Sequence, residues 1–109
     1  MRPFLSIATG RSIPRLPEGT RVYAVGDVHG RADLLDRLLP QIDAHLSRNP
    51  VSRAIEVYLG DYVDRGPDSR RVIDLLIRRR REKRKTICLK GNHETYLLEF
   101  LKDPKVFDI

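Results

Sequence analysis

Gly60-Asp61-Tyr62-Val63-Asp64-Arg65-Gly66-Pro67 sets two carboxylates three residues apart, with an arginine beside the second and a glycine on either side. Such a segment suits a tight loop that aims charge at a ligand. Glycine reaches positive φ without steric cost, so Gly60 and Gly66 are expected to let the backbone turn and approach an ion closely. A carboxylate ligates hard or borderline cations and a guanidinium is a fork for phosphate oxygens, so Asp61, Asp64 and Arg65 together read as a metal-and-phosphate site. Asp and Gly are also ordinary turn residues, and this loop alone decides nothing.

Two further stretches repeat the theme: Gly26-Asp27-Val28-His29-Gly30 upstream and Gly91-Asn92-His93-Glu94 downstream. Each follows an apolar run and precedes a helical pattern. The runs are Arg21–Val25, Ala54–Leu59 and Thr86–Leu89. Leu34, Leu35, Leu38, Leu39, Ile42 and Leu46 mark the first helix, which Pro40 is expected to kink or divide. Val72, Ile73, Leu76 and Ile77 mark the second, with Pro67 in its first turn and Asp68 or Ser69 as cap. Tyr96, Leu97, Phe100 and Leu101 mark the inner face of the third, which ends before Asp103-Pro104. The order β-α-β-α-β-α without hairpin signals implies an α/β fold with parallel strands. Ligands of such sheets bind beyond the carboxyl ends of the strands, where all three loops emerge.

Asp27 and His29, two apart, suit an extended loop that converges both on one ion. Asp61 has two oxygens with which to bridge a pair of ions, and Asn92 offers an amide oxygen to the second. Oxygen and imidazole donors suit manganese foremost, with iron or zinc as alternatives, and the lack of thiolate ligands argues against structural zinc. Two ions about 3.5–4 Å apart clamp the attacking and leaving oxygens of an in-line displacement and activate a water. Arg65 would hold phosphate oxygens, His93 would protonate the leaving oxygen, and Asp64 would orient the His93 ring. Glu94 suits either the start of the third helix or the site. Lys90 and Arg31 flank the loops and are ordinary exposed bases or phosphate contacts. Arg70 and Arg71 read as solvated, Tyr62 as packed, and His45 as a partly exposed helix residue away from the loops.

Gly-Asp-x-His-Gly, Gly-Asp-x-Val-Asp-Arg-Gly and Gly-Asn-His-Glu, in that order over Asp27 to Glu94, resemble the calcineurin-like metallophosphoesterase superfamily. The middle block resembles its serine/threonine phosphoprotein phosphatase branch. The resemblance implies that Asp27, His29, Asp61 and Asn92 bind two divalent metal ions, Arg65 binds phosphate, and His93 with Asp64 forms the acid pair. It implies a two-sheet β-sandwich flanked by helices, with mostly parallel strands. It implies hydrolysis of phosphomonoesters in phosphoproteins, or alternatively of bis(5'-nucleosyl) tetraphosphates. Family members continue for about as long again, and that second half supplies two more histidines and another arginine. Residues 21–109 are therefore read as the N-terminal half of a catalytic domain, with an incomplete site. The isolated chain is expected to be weakly active or inactive, or a non-catalytic interaction module, with an uncovered sheet face open to self-association.

Composition bounds the rest. The 109 residues are 40% hydrophobic and 33% charged, as in an ordinary globular domain. No run approaches the about 18 apolar residues a membrane span needs. The net charge of +6 comes from residues 78–85, which hold seven of the 21 basic residues and one of the 15 acids. A local patch on an otherwise balanced chain argues against nucleic acid as partner, and it reads as a solvated helix end favoured by the macrodipole. Residues 1–20 read as an irregular, basic, proline-containing lead-in, whose prolines argue against a targeting helix. One cysteine, Cys88 in an apolar run, gives no disulfide framework and suits a reducing cytoplasm.

Overall fold

The computed structural model describes residues 13–107 apart from Lys83. The first twelve residues of the lead-in, Lys83 of the basic run and the last two residues lie outside the described part. Residues 13–17 are irregular and lead through a turn at residues 18–19 into β1, Thr20–Val25. The chain then follows the expected alternation: α1 (Ala32–Arg48), β2 (Arg53–Tyr58), α2 (Ser69–Arg80), β3 (Lys85–Cys88) and α3 (Asn92–Lys102). A 3-10 turn, Pro104–Phe107, follows. The fold is α/β, with three parallel strands in the order β1-β2-β3. One layer of the expected sandwich is present among the described residues.

Register assigns the faces, because neighbouring side chains on a strand alternate sides. Val25, Tyr58 and Cys88 are aligned across the sheet, as are Tyr23, Glu56 and Thr86. The first set joins the core that α1 and α2 close with Ala32, Leu35, Val72, Leu75 and Leu76. Val22, Ile55 and Lys85, and then Ala24, Val57 and Ile87, point the other way. Ala24 there is exposed and its apolar neighbours are half-buried, so the strands are covered on one face rather than both.

The structure sharpens several helix expectations. Of the two outcomes expected at Pro40, division does not occur, and α1 runs on through it. Pro40 and residue 36, whose carbonyl loses its helical partner, are both exposed, so water can take the vacant bond. Leu34 is exposed while Ala32, Leu35 and Ile42 are buried. α2 starts at Ser69, after Pro67, with Asp68 as its cap accepting from the Arg71 backbone N–H at 3.1 Å. Its buried stripe is Val72, Leu75, Leu76 and Arg79, rotated from the expected one so that Ile77 faces out. Tyr96, Leu97, Phe100 and Leu101 of α3 are exposed, since none of the described elements closes over that helix.

The basic run is not uniformly solvated. Arg79 is 4% exposed and lies on Glu56, which is fully buried. Arg79 Nε donates to both Glu56 oxygens at 3.1 and 2.9 Å, and its Nη2 donates to Oε1 at 2.5 Å. Its other edge donates to Asp43 at 2.7 and 3.1 Å, and Arg84 also donates to Asp43. The hydrogen bond from Arg79 holds the Asp43 carboxyl down at about 2 against the opposing effect of burial. Burial works against the Arg79 charge, but hydrogen bonds to Glu56 and Asp43 outweigh it and push its pKa up. This network ties α2, α1 and β2 together. Arg71 is also paired, to Asp36 of α1 at 2.7 Å.

Candidate metal centre

The three loops leave the carboxyl ends of the parallel strands and are laced together by backbone bonds. The carbonyl of Asp61 accepts from Val28 N–H at 3.1 Å and His29 N–H at 2.9 Å, and the Tyr62 carbonyl accepts from Gly30 N–H at 2.8 Å. Asp68 N–H donates back to Gly30 at 3.0 Å. On the other side, the Tyr62 hydroxyl shares its proton between the carbonyls of Leu89 at 2.6 Å and Tyr58 at 3.0 Å. Burial pushes that phenol well above its ordinary pKa, so it stays a donor. Tyr62 packs, as expected, and also bridges two loops.

Close approach explains the glycines. Gly60 has φ +108°, and a Cβ there would lie 2.6 Å from the Gly91 nitrogen. Gly66 corrects the expectation of a positive φ: its role is space, because a Cβ would run into the His29 carbonyl. The left-handed conformations fall instead on His29 (φ 43°), Asp61 (57°), Asp64 (70°) and Arg65 (71°). Such backbone is disfavoured for residues with a Cβ, and clusters of it occur at functional sites.

Asp27, His29 and Asp61 are brought together, with one ligand atom from each within 4.8 Å of the others. His29 Nδ1 lies 2.9 Å from the Val63 carbonyl, which can only accept, so Nδ1 carries the hydrogen. Nε2 is then the lone-pair nitrogen, and it faces Asp27 Oδ2 at 3.7 Å. A ligating histidine is commonly fixed by such a bond from its other nitrogen. Two carboxylates and a neutral imidazole fit a hard or borderline divalent ion. Asn92, expected as a fourth ligand, is the exposed first residue of α3, beside Gly91, whose backbone lies against Asp61.

The expected acid pair is in contact. His93 Nδ1 lies 3.0 Å from Asp64 Oδ2, so the carboxylate accepts and Nε2 is left for chemistry. The His93 and His29 rings meet edge to face, centroids 4.7 Å apart. His93 N–H donates to Asp61 Oδ1 at 3.1 Å, which ties the expected acid to an expected ligand. Arg65 is exposed and has no ion-pair partner among the described residues. Arg31, by contrast, is held by Asp33 through two bonds of 3.0 and 2.9 Å. The hydrogen bond from Arg31 lowers the Asp33 carboxyl to about 2. His45 lies far along α1 and bonds Tyr23 at 2.8 Å.

Sequence reasoning left Glu94 open and offered Ser69 only as a helix cap, whereas its hydroxyl accepts from the Asp64 N–H at 3.0 Å. The Glu94 carboxylate accepts from Gly91 N–H at 2.9 Å but also from Asp61, Tyr62 and Val63. An acid three residues after a helix cap was a legible signal for the first of these bonds. Nothing local signalled the other three.

The sequence model of the calcineurin-like phosphoesterase family matches residues 20–108. The chain belongs to the calcineurin-like phosphoesterase family. It is 32% identical over 91 residues to an asymmetrical bis(5'-nucleosyl)-tetraphosphatase of Oceanobacillus iheyensis, a match covering 81% of this chain and 36% of that one. It is 35% identical over 77 residues to a symmetrical bis(5'-nucleosyl)-tetraphosphatase of Delftia acidovorans, covering 71% and 25%. A serine/threonine-protein phosphatase of Arabidopsis thaliana is 37% identical over 70 residues, covering 63% of this chain and 7% of that protein. The matched stretch thus spans about a third of the first relative's length and a quarter of the second's. Among the described residues no helix is long and apolar enough to cross a membrane.

Proposed function

We propose that this calcineurin-like phosphoesterase chain contributes the first ligand cluster and the general acid of a metal-dependent phosphoester hydrolase. The gathering of Asp27, His29 and Asp61 within 4.8 Å carries this reading. Asp27, His29, Asp61 and Asn92 would hold two divalent ions, manganese foremost. When bound, the ions supply Lewis acidity toward water and phosphate oxygens. Arg65, exposed and unpaired among the described residues, binds phosphate oxygens and favours the transition state as charge builds on them. His93 gives its proton to the leaving oxygen, and Asp64 orients the ring and stabilises the imidazolium.

The substrate is the phosphoserine or phosphothreonine of a protein, a reading supported by the Val63-Asp64-Arg65-Gly66 block and by the plant phosphatase. The second reading, a bis(5'-nucleosyl) tetraphosphate, is supported by the names of the two bacterial relatives. Assay of the full-length protein, stripped with chelator and reloaded with Mn2+, on a phosphopeptide and on diadenosine tetraphosphate tests both. Metal-dependent turnover lost in Asp61→Asn is expected, with kcat/KM higher for the phosphopeptide. A large preference for the dinucleotide selects the second reading, and turnover indifferent to metal and to Asp61→Asn rejects both.

A further inference from the structure

We propose that Glu94 is the positioning residue of the metal-binding loop, a role that rests on the reading of Asp27, His29 and Asp61 as ligands. Its carboxylate gathers four backbone donors. Oε1 accepts from Gly91 N–H at 2.9 Å and Asp61 N–H at 2.5 Å; Oε2 accepts from Tyr62 N–H at 2.8 Å and Val63 N–H at 3.3 Å. Only the bond to Gly91 belongs to the start of α3. The other three reach residues 31 to 33 positions away in sequence, which helix capping does not require.

The segment they grip is the one that most needs gripping. Asp61 is left-handed at φ 57°, a conformation that persists in a residue with a Cβ only when its surroundings over-determine it. The Asp61 carbonyl is held by Val28 and His29, and its Oδ1 by His93. Glu94 takes the remaining backbone group. Hydrogen bonds to an ionised acceptor are about twice as strong as neutral ones, so two oxygens can hold three consecutive amides in one concave turn.

Consequences pass to a second ligand. Val63, at the end of the gripped segment, offers the carbonyl that sets the His29 tautomer, and Tyr62 offers the carbonyl that anchors Gly30. One side chain on α3 thereby sets the orientation of Asp61 from β2's loop and of His29 from β1's loop. Glu94 does this without touching the ligand atoms.

Glu94→Gln is the discriminating variant, because it keeps size and leaves one accepting oxygen for four donors while turning an NH2 toward two of them. Glu94→Ala removes all four bonds. Two measurements on the metal-free and Mn2+-titrated chain decide the matter: residue-resolved amide exchange, and Mn2+ affinity. Expected for Glu94→Gln is exchange at Tyr62 and Val63 accelerated at least about tenfold, with Mn2+ binding weakened about 10–100-fold, the range for partners that orient ligands. Faster exchange confined to the first turn of α3, with residues 61–63 and Mn2+ affinity unchanged within twofold, would reduce Glu94 to a helix cap and overturn the proposal. If wild type takes up no Mn2+, the metal reading fails on its own, and the exchange at 61–63 still judges the clamp. Should Glu94→Ala not fold, Glu94→Gln carries the test alone.

Discussion

Replacing Arg79 by methionine removes the charge from the most buried ion pair among the described residues while keeping the long apolar stem. Glu56 has no exposed surface, and Arg79 supplies three of its hydrogen bonds. Thr86 Oγ1 donates at 3.3 Å and Arg84 Nη1 stands 3.6 Å away, so part of the charge stays answered. Stripping one partner from a buried pair costs about 3–5 kcal/mol, mostly from the stranded charge, and those remaining contacts place the expected loss near the lower end, about 3 kcal/mol. The Asp43 side of the network is left out of that figure, because Asp43 is 44% exposed and solvent screens its share of the bond. A small domain has about 5–15 kcal/mol in total, so the loss is large. In urea unfolding followed by circular dichroism, with m about 2 kcal/mol/M, the midpoint should fall by about 1.5 M. Replacing Glu56 by methionine as well should restore most of it, since an apolar pair of similar volume removes the stranded charge. Arg80→Met, on the exposed side of α2, should move the midpoint by less than about 0.3 M at the same m, as surface changes stay within about 0.5 kcal/mol. Equal small shifts for Arg79→Met and Arg80→Met would refute the buried network.

Gly91→Ala should displace Asp61, because the new Cβ would fall on its carboxylate and backbone; Mn2+ affinity should drop more than stability, and unchanged affinity would contradict the close packing of loops. Acid should expose the Asp43 bond. Its carboxyl sits at about 2 when folded against 3.8 unfolded, so its stabilisation is whole above about pH 4 and fades as pH falls through 2. Asp43→Asn should therefore flatten the loss of urea stability between about pH 4 and pH 2, and an unchanged slope there would contradict the assignment.

The alternation of strands and helices and the three polar loops were legible because each rests on local pattern. Apolar runs followed by Gly-Asp or Gly-Asn need only the rule that parallel strands deliver their loops to one edge. What was not legible depended on partners distant in sequence. Arg79 sits in a run of arginines, and only a small rotation of α2 distinguishes the one that reaches Glu56 from its solvated neighbours. Pro40 left a kink and a division both open, and its exposed position on α1, where water can take the vacant bond, goes with the undivided helix. The apolar pattern of Tyr96, Leu97, Phe100 and Leu101 reports a face suited to burial, but burial requires an element to close over it. Glu94 was left undecided because three of its four bonds run to another loop. The left-handed backbone at His29, Asp61, Asp64 and Arg65 was assigned to glycines, since local propensity cannot see the bonds that enforce strain.

The central claim is that Asp27, His29 and Asp61, far apart in the chain, form one ligand set. Titrating the metal-free chain with Mn2+, followed by electron paramagnetic resonance, tests this most directly. The account predicts saturable binding that Asp27→Asn, His29→Ala and Asp61→Asn each weaken by at least about tenfold, while His45→Ala leaves it unchanged. Binding indifferent to all three ligand substitutions, or weakened as much by His45→Ala, would contradict it.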